Sequence, residues 1–150
     1  MNRLLVALFV IAGFLATQPP ARAELSWGTD LNAALAQAKK EKKHVLLDFT
    51  GSDWCGPCIR LKKEVFDSKE FADYAAKNLV LVEVDFPRKK KQSTELVKSN
   101  EALQKKYKTD GQVPTIIILN ADGKEISRTV GNVLNGAKDW IAKFDEAKKK

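Results

Sequence analysis

Cys55 and Cys58 are the only two cysteines in a chain of 150 residues, and they stand two residues apart in Trp54-Cys55-Gly56-Pro57-Cys58. Four kinds of chemistry compete for such a pair. A structural staple closing so small a loop removes about 2 kcal/mol of denatured-state entropy in the chain-entropy model, and distant cysteines would do more. A metal site needs more ligands than are at hand. Two thiolates are half of what a structural zinc takes, and the one histidine is His44. Copper(I) accepts two thiolates, so a copper carrier stays open. Two inert thiols this close would survive only in a reducing compartment, because an oxidising one would pair them.

Thiol–disulfide exchange gives the spacing a reason. If a helix starts here, Cys55 sits at its N-terminus, where unpaired N–H groups and the macrodipole favour a thiolate. Cys58 then lies one turn further along the same side and can attack a mixed disulfide formed on Cys55. Pro57 suits the first helical turn, where its missing N–H costs nothing. Gly56 allows a second backbone to come close.

The flanking pattern supplies elements to hold the pair. His44–Thr50 is a short apolar run, the mark of a buried strand, and it leads straight into the cysteines. Leu31, Ala34, Leu35 and Ala38 recur at helical spacing before it. After the motif, Ile59, Leu61, Val65 and Phe66 indicate a helix. Asp67-Ser68 can cap another that carries Phe71, Tyr74 and Ala75. A second buried strand runs from Leu79 to Phe86. Leu96, Asn100, Leu103 and Tyr107 form a helical stripe. Thr115–Asn120 and Glu125–Val130 are strands joined through Asp122-Gly123, and Ala137, Trp140, Ile141, Phe144 and Ala147 mark a last helix. Helices between strands imply parallel pairing and the final hairpin implies antiparallel pairing. The expected fold is α/β, a mixed sheet of about four strands with helices on both faces.

Residues 1–23 read as a secretory signal peptide, which leaves residues 24–150 as one domain. Arg3 is the positive start, Leu4–Leu15 the short apolar run, and Ala21-Arg22-Ala23 the cleavage pattern. Cleavage would take Arg3 and Arg22 from a formal charge of +7. Retained, the same segment would tether the protein to a membrane. The remaining lysines cluster, as in Arg88-Lys89-Lys90-Lys91. With no nucleic-acid motif beside them, these runs read as solvated helix ends and loops, and no nucleic-acid partner is expected.

Trp54-Cys55-Gly56-Pro57-Cys58 is identical to the active-site motif of thioredoxin. The resemblance extends over about residues 27–147, through Val45–Phe49, Gln112-Val113-Pro114-Thr115, Asp122-Gly123 and Gly131. It implies a thioredoxin fold. It makes Cys55 the nucleophile, Cys58 the resolving thiol and Pro114 a cis-proline beside them. Val113 would offer its backbone to an extended substrate, with Trp54, Gly56 and Pro57 alongside. Asp48 would be the buried acid–base group. Three departures stand out. Asp48 is seven residues before Cys55 rather than six, because Thr50-Gly51-Ser52-Asp53 is one residue longer. Leu81 falls where the family has a lysine, with Glu83 nearby. The segment from Pro87 to Lys106 is also longer. With these features the chain resembles an exported bacterial subfamily.

The function expected is exchange of disulfides with partner proteins by an exported, periplasmic or secreted oxidoreductase, acting as a monomer. The Cys55–Cys58 disulfide is its redox group, and neither a metal nor another cofactor is expected. Gly-Pro between the cysteines points to a reductant, which in an oxidising compartment needs a membrane thiol-reductase as electron donor. The alternatives are a disulfide-forming or isomerising catalyst and the copper(I) carrier.

Overall fold

The computed structural model describes residues 25–131 and 135–149. The proposed signal peptide and its cleavage site lie outside the described residues. Five strands form one sheet: β1 (Trp27–Gly28), β2 (His44–Thr50), β3 (Leu79–Asp85), β4 (Thr115–Leu119) and β5 (Glu125–Val130), in the order β1-β3-β2-β4-β5. The pairs β1–β3 and β2–β3 are parallel, while β2–β4 and β4–β5 are antiparallel. Four of these strands carry an apolar run or a hairpin signal in the sequence. The fifth, β1, is a two-residue edge strand, too short to show any periodicity.

Among the described residues, five helices complete the order: α1 (Leu31–Glu41), α2 (Gly56–Leu61), α3 (Lys69–Asn78), α4 (Thr94–Lys106) and α5 (Ala137–Ala147). α2 runs directly into a π-helical turn, Lys62–Phe66. Short polar side chains cap the entries of α1, α3 and α4. Asp30 accepts the N–H groups of Asn32 and Ala33, Ser68 that of Phe71, and Ser93 that of Leu96.

Side chains alternate across the sheet, so the central strands β2, β3 and β4 each feed two cores. Val45, Leu47 and Phe49 of β2 and Val80, Val82 and Val84 of β3 pack against α1 and α4. Leu46, Leu79, Leu81, Ile116 and Ile118 pack against the α2–π segment, α3 and α5. Aromatic rings dominate this second core. Phe66, Phe71, Trp140 and Phe144 form a chain of ring contacts with centroids 5.0–5.8 Å apart. Such offset and tilted contacts add to the burial of the rings themselves. Tight turns set the sheet's ends. Gly123 takes a φ of +81° in the β4–β5 turn, where a side chain would be strained.

Candidate redox site

The carboxyl ends of β2 and β3 and the amino end of β4 share one end of the sheet, because β2 and β3 are parallel and β4 runs against β2. The two cysteines follow β2 at this end. Trp54 and Cys55 donate their N–H groups to the carbonyl of Gly51, at 3.2 and 2.9 Å, in a turn that reverses the chain into α2. The indole of Trp54 lies so close over Gly51 that a Cβ there would meet ring atoms at 2.5 Å. Gly51 is therefore fixed by contact and not by a left-handed backbone, which it does not adopt.

Cys55 is the N-cap of α2, with Pro57 in its first turn. The Cys58 N–H points at Cys55 Sγ, 3.2 Å away, and the two sulfurs are bonded to each other with Cα atoms 5.2 Å apart. Sequence spacing predicts an accessible Cys55 and a shielded Cys58. In the disulfide both are buried, 5% and 4% exposed. The asymmetry is in hydrogen bonding: Cys55 Sγ alone receives the helix-terminal N–H.

Asp48 lies on the sheet face that carries Leu46, the face covered by α2. It is 7% exposed and its Oδ1 has no hydrogen-bond partner. Burial, reinforced by the charges of Glu83 and Asp85 and opposed by Lys62, pushes its carboxyl up to about 8. The register puts Glu83 directly opposite Asp48 and Asp85 opposite Thr50. The sequence placed Glu83 only in the neighbourhood. The pairing shows that an acid, not the family's lysine, is the immediate neighbour of Asp48. Glu83 itself is pushed up, by burial first and then by Asp85.

The Val113–Pro114 peptide bond is cis. The Pro114 carbonyl accepts the Gly131 N–H at 2.9 Å, and Thr115 Oγ1 donates to the Gln112 carbonyl at 2.8 Å, which fix the loop to the head of β4. The Val113 side chain packs against the α1–α4 core. Trp54 is 37% exposed, Gly56 and Pro57 are exposed, and Ile59, one residue past Cys58, is 49% exposed. The sequence pattern names Ile59 only as a marker of the helix, whereas the structure leaves it exposed beside the disulfide.

His44 is not brought to the thiols. It begins β2, at the far end from Cys55, and packs edge-on to Phe144 with centroids 5.5 Å apart. Among the described residues, no group of three or more His, Cys, Asp and Glu side chains is placed to hold a metal ion.

A family described as "Thioredoxin-like domain" matches residues 31–148. A disulfide bond reductase, DsbH of Chlamydia pneumoniae, is 37% identical over 133 residues, which cover 89% of this chain and 78% of DsbH. The solved structure of a DsbH oxidoreductase superposes with a TM-score of 0.79 at 36% identity, covering 91% of this chain and 93% of its own. The thiol:disulfide interchange protein DsbD of Vibrio cholerae is 33% identical over 98 residues, 65% of this chain but only 15% of DsbD.

Proposed function

The chain belongs to the thioredoxin-like family of thiol–disulfide oxidoreductases, and from that premise we propose that it is an exported reductant of protein disulfides in the periplasm. The observation that carries this reading is the Cys55–Cys58 disulfide at the N-terminus of α2, with the Cys58 N–H directed at Cys55 Sγ. The same N–H stabilises a thiolate once the pair is reduced.

The reaction balances with two electrons and no further group. The reduced Cys55 thiolate attacks one sulfur of a partner disulfide and expels the other as a thiolate. Cys58, deprotonated, then attacks Cys55 Sγ. The internal disulfide forms, and the second partner sulfur leaves as a thiolate that takes up a proton. Asp48 is the group assigned to receive the Cys58 proton. Held near 8, it is mostly protonated at neutral pH and becomes an effective base as pH rises. Val113, before the cis-proline, makes no backbone hydrogen bond among the described residues, which suits strand addition by an extended substrate. Trp54, Gly56 and Pro57 flank the same approach.

The direction of exchange rests on the dipeptide. Gly56-Pro57 adds no charged or hydrogen-bonding side chain to stabilise the thiolate, so the helix terminus must supply most of that stabilisation, a modest effect. A reducing pair of roughly −270 mV is expected, far from the roughly −120 mV of a strong oxidant. The protein acts as a monomer and draws electrons from a membrane thiol-reductase. Redox equilibration with glutathione, with the in vivo state of the pair followed by thiol alkylation, tests this. A pair that stays oxidised while its donor is present would make the protein a disulfide-forming or isomerising catalyst instead.

A further inference from the structure

Two departures from the thioredoxin pattern meet in space. One is the longer approach to the cysteines, which carries Ser52 and Asp53. The other is the basic segment after β3, Arg88–Lys91. Asp53 accepts the backbone N–H groups of Arg88, Lys89 and Lys90 at 2.9, 2.7 and 3.0 Å. Trp54 Nε1 donates to the Phe86 carbonyl at 2.8 Å, and Phe86 N–H donates to the Thr50 carbonyl at 2.9 Å. Asp85 accepts both the N–H and the hydroxyl of Ser52, at 2.9 and 2.6 Å. Its carbonyl takes Gln92 Nε2 and the buried Asn100 Nδ2. The basic segment is thus fastened along its backbone to the residues that lead into Cys55.

This fastening sorts the charges. Asp53 is spent on three amides, which hold its carboxyl below the usual range, and Asp85 on Ser52. The side chains of Arg88, Lys89, Lys90 and Lys91 are exposed. Among the described residues, Arg88, Lys89 and Lys91 form no ion pair. The Arg88 guanidinium lies 3.9 Å from the ring centre of Trp54, the residue before Cys55. A run of lysines that serves only as a solvated face needs no such anchorage.

We propose that the anchored Arg88–Lys91 segment is a recognition surface for acidic side chains flanking the reactive disulfide of a partner protein. The proposal rests on the redox reading above. It governs how fast and in which orientation the partner meets Cys55, and leaves the exchange step unchanged.

Three disulfide-linked peptides of one core, flanked by Glu, Ser or Lys, test it. Their reduction by the reduced protein is followed in stopped flow, each rate divided by that of dithiothreitol with the same peptide. In about 10 mM salt the Glu peptide is expected to react about tenfold faster than the Lys peptide, and in about 1 M salt the rates converge. The charge-reversed variant Lys89→Glu/Lys91→Glu, altered only at exposed side chains, should erase or invert the preference. Asp53→Ala, which frees the segment but keeps its charges, should weaken it. Equal normalised rates for the wild type in low salt would overturn the proposal and leave the redox reading standing. So would a preference that survives charge reversal. No exchange with any peptide would overturn both.

Discussion

The two faces of the sheet are made by the same strands and differ sharply at one end. Towards α1 and α4, β2 and β3 present Val45, Leu47, Phe49, Val80, Val82 and Val84, apolar from end to end. Towards α2 the same strands begin with Leu46, Leu79 and Leu81 and finish with Asp48, Thr50, Glu83 and Asp85. One face is devoted to packing. The other gives up packing at the end beneath the cysteines and accepts buried carboxylates, one with an unpartnered oxygen. Burial without a partner is unfavourable for a carboxylate. Stability and chemistry are therefore divided between faces, and then between the two ends of one face.

Five substitutions probe this division, the last of them at the surface. Cys55→Ser should abolish exchange with insulin while leaving the fold intact, and Cys58→Ser should accumulate mixed disulfides on Cys55, both visible on non-reducing gels. Trapping by Cys55→Ser in place of Cys58→Ser would reverse the roles of the pair. On the packing face, Phe49→Ala should cost about 3–5 kcal/mol in denaturant unfolding. A cost under about 1 kcal/mol would show that this face tolerates loss as readily as the other.

Asp48→Asn should do the opposite and stabilise the protein in a pH-dependent way. The folded carboxyl titrates near 8 and the unfolded one near 3.8. Between those values the folded state holds a proton that the unfolded state has released. Stability therefore falls as pH rises through that window and levels off above it. The Asn variant should lose this slope. Its attack on a partner disulfide should be little changed, while release of the mixed disulfide should slow and lose its rise near pH 8, as resolved by single-turnover kinetics. Unchanged release would make Asp48 structural only. The smallest effect belongs to the surface: Asp122→Ala, which removes an ion pair to Lys39 at 3.8 Å between side chains 78% and 75% exposed, should leave the denaturation midpoint unmoved.

Much of this arrangement can be read from residue order, and the limits have physical causes. Apolar runs and helical stripes locate four strands and the helices, because burial on one side leaves a period. The thiol pair and the proline before β4 are visible as a local motif. The π-helical turn at Lys62–Phe66 is not, since the helical stripe continues through it. The pairing of Asp48 with Glu83 needs a register that no local pattern states. Asp53 looks like an ordinary loop acid because its partners are backbone amides 35 to 37 residues away. Asn100 fits the apolar stripe of α4 by position, and only its bond to the Asp85 carbonyl explains a polar residue there.

The sulfur that caps α2 is also the atom assigned to react. While the internal disulfide persists, Cys58 N–H has Cys55 Sγ as its acceptor, and Ile59 N–H has the Cys55 carbonyl at 3.0 Å. A partner that draws Cys55 Sγ outward into a mixed disulfide takes the cap with it, leaving the Cys58 amide, in the first turn of a six-residue helix, without an acceptor. Loosening of that turn then accompanies the state in which Cys58 must come forward. Protection of the Cys58 amide against deuterium exchange is thereby a clock for the reaction, high in the closed disulfide and lowest in the covalent complex.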